Sequence, residues 1–161
     1  MNDAVVVPIG ALAVTAAPGE LRALGLGSCV AVVLYDPATH IAGLAHVLLP
    51  ARPGPGGNAM PARYAESAVP ALVEAMQEAG AEKRRLKAWL VGGATMFTNL
   101  VAPGLIAIGE RNTVAARRAL DALKIPVTRE AVGGDFGRSV RVEAATGRVE
   151  VRTVLHGVVE F

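Results

Sequence analysis

Residues 29–49 read CVAVVLYDPATHIAGLAHVLL. Two apolar runs, Cys29–Tyr35 and Ile41–Leu49, flank Asp36-Pro37, a pair that starts turns. The pattern predicts a β-hairpin. Nearly every position in both runs is apolar, so its strands are expected to be covered on both faces. Upstream, Ala4–Val7 and Ala11–Thr15 are short strand-like runs, followed by a turn signal at Pro18-Gly19. Downstream, residues 50–61 form a long Pro/Gly-rich loop, and long loops in compact domains are often functional. Over Arg63–Ala79 the apolar residues Ala65, Ala68, Val69, Leu72, Val73 and Met76 recur with helical spacing, and Gly80 stands where a C-terminal cap belongs. Pro70 is expected to kink that helix or to mark its true start. Leu86–Val91 predicts a strand ending at Gly92-Gly93. Asn112 is expected to cap a helix over Thr113–Leu123, with Val114, Ala115, Leu120 and Leu123 on its buried face. Val127–Val132, Ser139–Glu143 and Val149–Leu155 predict further strands, with turns at Gly133-Gly134 and Thr146-Gly147. Strands outnumber helices and the two helices fall mid-chain. The expectation is a single α+β domain over residues 1–161, a layered sandwich with mostly antiparallel sheets.

Composition narrows the function. Hydrophobic residues make up 52% of the 161 and charged residues 19%, which excludes intrinsic disorder. A net charge of +2 is too balanced for a nucleic-acid binder that works by phosphate neutralisation, and 4% aromatics supply no obvious stacking platform. No apolar run reaches the ~18 residues of a membrane helix, and Met1-Asn2-Asp3 is no signal-peptide start. One cysteine excludes a disulfide framework and Cys-cluster zinc sites, and the three histidines lack ligand spacing, so no metal is expected. A reducing cytoplasm is the default compartment.

The chemistry centres on Cys29, which follows Gly25-Leu26-Gly27-Ser28. Glycines before a strand let the chain turn sharply, and such a turn frees backbone N–H groups to converge on an oxyanion. Gly27 and Ser28 are the backbone candidates for that role. With a tight turn centred on Pro37-Ala38, paired positions sum to 75, which sets Cys29 opposite His46 on one face. A turn with an odd number of residues would set them on opposite faces. The nucleophile is a thiolate, and a neighbouring imidazole takes the thiol proton and returns it to a leaving amine. That pair equips acyl transfer on an amide or ester. A lone Cys or a lone His in an apolar strand is more commonly plain core packing; the joint placement beside Gly-Leu-Gly-Ser favours catalysis. His40 and His156 read as solvated, and Arg117-Arg118 as a solvated helix face. Gly92-Gly93 and Gly133-Gly134 fit no nucleotide-binding pattern and read as turns or close backbone contacts.

The chain resembles the chemoreceptor glutamine deamidases of bacterial chemotaxis, the CheD family. The resemblance is carried, in order, by residues 24–32 (LGLGSCVAV), 44–50 (LAHVLLP), 63–65 (RYA), 92–97 (GGATMF) and 108–112 (IGERN), then Gly133-Gly134 with Gly137-Arg138-Ser139. It implies Cys29 as nucleophile and His46 as general base of a protein-glutamine glutaminase. The implied substrates are glutamines of methyl-accepting chemotaxis receptors, hydrolysed to glutamate and ammonia with no cofactor. It also implies a fold like that of a toxin-type glutamine deamidase, and a CheC-type phosphatase as regulatory partner. One position departs from the family pattern. Six residues before the nucleophile the family typically has a Thr that orients the His; here it is Ala23. His46 must then be oriented by a backbone carbonyl, a water or another hydroxyl, with Ser28 as one stand-in. The alternative is a catalytically weakened module that docks on receptors or on the phosphatase.

Overall fold

The computed structural model describes residues 4–54, 60–96 and 107–161. The three N-terminal residues, the middle of the Pro/Gly loop and Phe97 lie outside the described residues. The elements run β1 (Ala4–Val6), β2 (Leu12–Ala16), β3 (Glu20–Leu26), β4 (Val30–Asp36), β5 (Ile41–Val47), α1 (Ala65–Glu78), β6 (Lys87–Gly92), α2 (Ile108–Ala122), β7 (Val127–Val132), β8 (Arg138–Glu143), β9 (Val149–Thr153) and β10 (Gly157–Glu160). They build two five-stranded sheets, ordered β1-β3-β8-β9-β10 and β2-β5-β4-β6-β7. Among the described residues, only β1–β3 and β6–β7 pair parallel. The class is α+β with two mixed, mainly antiparallel sheets, as expected.

Strand β4 is buried from end to end. One face, with Val30, Val32 and Leu34, packs under the helices against Leu72, Met76 and Leu120. The other, with Ala31, Val33 and Tyr35, packs on Leu21, Ala23, Val140 and Val142 of the second sheet. The order of layers is therefore helices, sheet, sheet. Gly43 on β5 allows the close approach of α1, since a Cβ there would lie 2.6 Å from Met76 Sδ.

The β4–β5 hairpin forms, with a different register. Ala31, not Cys29, stands opposite His46, and paired positions sum to 77. The loop is four residues long, from Pro37 to His40. The Ala38 N–H donates to Asp36 Oδ1 (2.9 Å) and His40 adopts φ 55° to close it. Two extra loop residues leave the parity of faces unchanged, so Cys29 and His46 stay on the same side of the sheet.

Three sequence expectations differ from the structure. Strand β3 was not anticipated, because its alternation is short and broken by a bulge. Leu21 and Ala23 point inward and Arg22 and Leu24 outward, then the register shifts between Ala23 and Leu26, with Gly25 at φ 63°. Helix α1 starts at Ala65 and runs through Pro70, so the proline does not mark its start; the Ala65 and Glu66 N–H groups donate to the Leu49 and Pro50 carbonyls (2.9 and 3.2 Å). Helix α2 starts at Ile108, which puts Asn112 inside the helix and fully buried rather than at its cap.

The same hairpin carries a buried charge. Asp36, fully buried, accepts from Arg85 Nε (2.9 Å) and Nη2 (3.0 Å) and from the N–H groups of Ala38 and Glu82 (2.9 and 3.0 Å). Burial pushes its pKa up, but these donors outweigh burial and hold the carboxyl well below the ordinary range. Asp36→Ala is expected to lower stability by about 3 kcal/mol in urea unfolding, because it leaves two N–H groups unpaired and leaves the Arg85 guanidinium with Glu82 alone (3.1 Å). A lowered folded pKa means the stabilisation is present in full above the ordinary aspartate value and is lost as pH falls below ~4. Acid titration of stability should therefore be shallower in Asp36→Ala; an equal slope would show that this carboxyl is not the titrating group.

Candidate active site

Residues 27–29 carry the chain from β3 in one sheet to β4 in the other. All three of their carbonyls are anchored. The Gly27 carbonyl accepts from Ala94 N–H (2.9 Å) and the Cys29 carbonyl from Gly93 N–H (2.8 Å). The Ser28 carbonyl accepts from Asn112 Nδ2 (2.9 Å). Gly92 must lack a side chain here, because a Cβ would collide with the Cys29 carbonyl. Gly92-Gly93 is thus a close backbone contact. In a trans peptide the C=O and the following N–H point in opposite directions. Anchoring the Gly27 and Ser28 carbonyls therefore turns the Ser28 and Cys29 N–H groups the other way. No backbone carbonyl among the described residues accepts from either. The Cys29 N–H lies toward its own Sγ.

Cys29 is 7% exposed and shares the inter-sheet layer with Ala31. Burial pushes its thiol above the ordinary value, and its own N–H offsets this only in part. The resting group is a neutral thiol. Alkylation of Cys29 by iodoacetamide is accordingly expected to keep accelerating as pH rises through and beyond the ordinary thiol range near 9.0. A rate that levels off below pH ~7 would reveal a resting thiolate instead.

His46 is 3% exposed on the same face, diagonal to Cys29. Diagonal partners lie roughly 7–8 Å apart at Cα in a regular ladder, and the thiol and imidazole make no hydrogen bond to each other in this structure. Its Nδ1 is 3.0 Å from the Val7 carbonyl oxygen. A carbonyl only accepts, so Nδ1 carries the proton and Nε2 presents a lone pair. Nε2 is buried and has no hydrogen-bond partner among the described residues. The backbone of His46 is fixed as well, by Gly10 N–H to its carbonyl (2.8 Å) and by its N–H to the Ala11 carbonyl (3.0 Å). Ala23 contributes only a buried methyl to the layer beneath. Of the three orienting groups open from sequence, the backbone carbonyl is the one observed. The Ser28 hydroxyl makes no hydrogen bond among the described residues.

Segments far apart in sequence converge on this turn. Ser139 Oγ accepts from Gly25 N–H (3.2 Å), and Arg138 donates to the Gly133 carbonyl (2.7 Å) while stacking on Phe136. A cleft of about 240 Å³ opens beside Ser28, lined by Ala94, Thr95, Met96, Ala107, Ile108 and Gly109. Larger grooves lie elsewhere, such as one of about 600 Å³ between the helices; Cys29 and His46 line neither these nor the cleft beside Ser28, so cavities do not locate the chemistry. His40 bonds Tyr35 Oη (3.0 Å) and His156 packs on Phe136; neither joins the pair. Sequence reading missed Val7 and Asn112. Val7 acts through a backbone atom that every residue possesses, so no sequence signal marks it. Asn112 had a signal, an Asn with no solvent-facing place in the helix pattern, which was read as a cap.

Among the described residues no helix is long and apolar enough to cross a membrane. A sequence model described as CheD chemotactic sensory transduction matches residues 48–153. A protein of Caldanaerobacter subterraneus named probable chemoreceptor glutamine deamidase CheD is 41% identical, over 90% of both chains. One of the same name from Geobacillus kaustophilus is 42% identical over 99% of this chain and 98% of its own. The chemoreceptor glutamine deamidase CheD of Halalkalibacterium halodurans is 40% identical over 98% of each. Among solved structures, the Bacillus licheniformis hypothetical protein YfiH superposes with a TM-score of 0.43 at 18% identity, over 70% of this chain and 46% of that one, a likeness too low to bear on the fold.

Proposed function

Because the chain belongs to the CheD family of chemoreceptor glutamine deamidases, we propose that Cys29 and His46 hydrolyse glutamine side chains of methyl-accepting chemotaxis receptors. The observation that carries the catalytic assignment is the free Nε2 lone pair of His46, on the same face as the thiol and fixed in its tautomer by Val7.

Nε2 takes the Cys29 proton as Sγ attacks the carboxamide carbon. The Ser28 and Cys29 N–H groups, with Gly27 shaping the turn, receive the oxyanion. The tetrahedral adduct collapses, the imidazolium protonates the departing ammonia, and a thioester remains. Nε2 then removes a proton from water, whose oxygen attacks the thioester. Collapse breaks the C–S bond, the imidazolium returns its proton to sulfur, and glutamate leaves. The thiol and imidazole supply every proton and electron-pair movement.

Where Ala23 offers no hydroxyl, the hydrogen bond from His46 Nδ1 to the Val7 carbonyl supports an oriented imidazole. Family membership also supports a CheC-type phosphatase as partner, a cytoplasmic setting, and a fold of the toxin-type deamidase kind within one 161-residue domain. The test is intact-mass analysis of a receptor cytoplasmic fragment incubated with this protein. Conversion of specific glutamines to glutamate supports the reading, and an unchanged fragment overturns it.

A further inference from the structure

We infer that Asn112 is a positioning residue for the oxyanion site, an assignment that rests on the deamidase reading above. One Nδ2 donates to two carbonyls, Ser28 at 2.9 Å and Leu48 at 3.0 Å. Ser28 precedes the nucleophile and Leu48 lies two residues past His46. The β4–β5 ladder ends at Val30↔Val47. Beyond it the strands part. Cys29 gives its carbonyl to Gly93, while the Leu48 N–H turns to the Arg63 carbonyl (2.9 Å). The Asn112 amide fills the gap that opens and fastens both strands to α2.

The consequence follows from peptide planarity. The Ser28 C=O and the Cys29 N–H belong to one rigid plane, so the bond from Asn112 sets the direction of the N–H beside Sγ. Asn112 is fully buried, and its Oδ1 has no partner among the described residues. An interior helical site would pack a Leu or Ala at no such cost. The residue type is explained by its two N–H bonds alone. Among the described residues Asn112 is hydrogen-bonded to neither the thiol nor the imidazole; it acts through the backbone.

Three measurements separate orientation from folding: kcat for deamidation of a receptor fragment, its KM, and the rate of alkylation of Cys29 by iodoacetamide, a displacement at carbon that develops no oxyanion. Removing an oxyanion donor outright costs about 10²–10³ in kcat, so misdirecting one through Asn112→Ala should cost at least about tenfold. KM should stay within about twofold of the native value, since substrate docking does not use that N–H, and alkylation, which feels it only through the thiol pKa, should fall by less than kcat. Asn112→Asp keeps the shape while replacing the donors with acceptors, and should lose at least as much kcat even if Asn112→Ala folds poorly. Unchanged kcat in both variants, or a parallel fall of kcat and alkylation, overturns the assignment. Cys29→Ala run alongside keeps the premise separate: if it retains activity the deamidase site itself is misplaced, whereas inactive Cys29→Ala with active Asn112 variants rejects the role of Asn112 alone.

Discussion

Cys29→Ala is expected to reduce deamidation of a receptor fragment by at least about 10⁴-fold, the scale of removing a covalent nucleophile. No other thiol exists in the chain to substitute for it. Alanine keeps the Cβ in the inter-sheet layer and leaves the anchored Gly27, Ser28 and Cys29 carbonyls untouched. The melting temperature should therefore fall by no more than about 5 °C, and the loss cannot be charged to unfolding. Ammonia release and the mass of the fragment provide two independent readouts. Activity at the native level in this variant would remove the thioester route altogether.

His46→Asn is expected to lower kcat by about 10²–10⁴-fold at neutral pH, the range of a general base. Asparagine isolates the base function, because its amide N–H takes the place of Nδ1–H toward the Val7 carbonyl while nothing replaces Nε2. The need for a base follows from the thiol. Burial pushes its pKa up, so the thiol is protonated at pH 7 and a base must take its proton. The imidazole supplies that base and then the proton for ammonia. In the variant the residual rate should climb with pH as solvent removes the proton, narrowing the gap to the native protein in alkali. A gap that stays constant with pH would mean His46 does not serve as the base.

The hairpin shows how far pattern reaches. The apolar runs on either side of Asp36-Pro37 specify two paired strands, and the even parity of the loop specifies a shared face for Cys29 and His46. The loop length itself depends on the Asp36 carboxylate, which folds Ala38 back and is held in turn by Arg85, 49 residues away. A two-residue loop was expected because nothing local reveals that anchor. Strand β3 escaped notice for a related reason. Its buried apolar residues are Leu21, Ala23 and Leu26, too few to mark a strand until the second sheet supplies the surface they cover.

Local chemistry along the chain was enough to indicate the strand-rich α+β class, the turn of glycines before the thiol, and the two strands that carry the thiol and the imidazole. Those features repeat over a few residues, so short-range sterics and alternation reveal them. Folding alone decided which nitrogen of His46 keeps its proton, which way the N–H groups beside Cys29 point, and why Asn112 is buried. Each depends on a backbone carbonyl brought from a remote segment, Val7 to His46 and Ser28 with Leu48 to Asn112. Carbonyls are identical at every position, so their placement becomes visible only when the layers have closed.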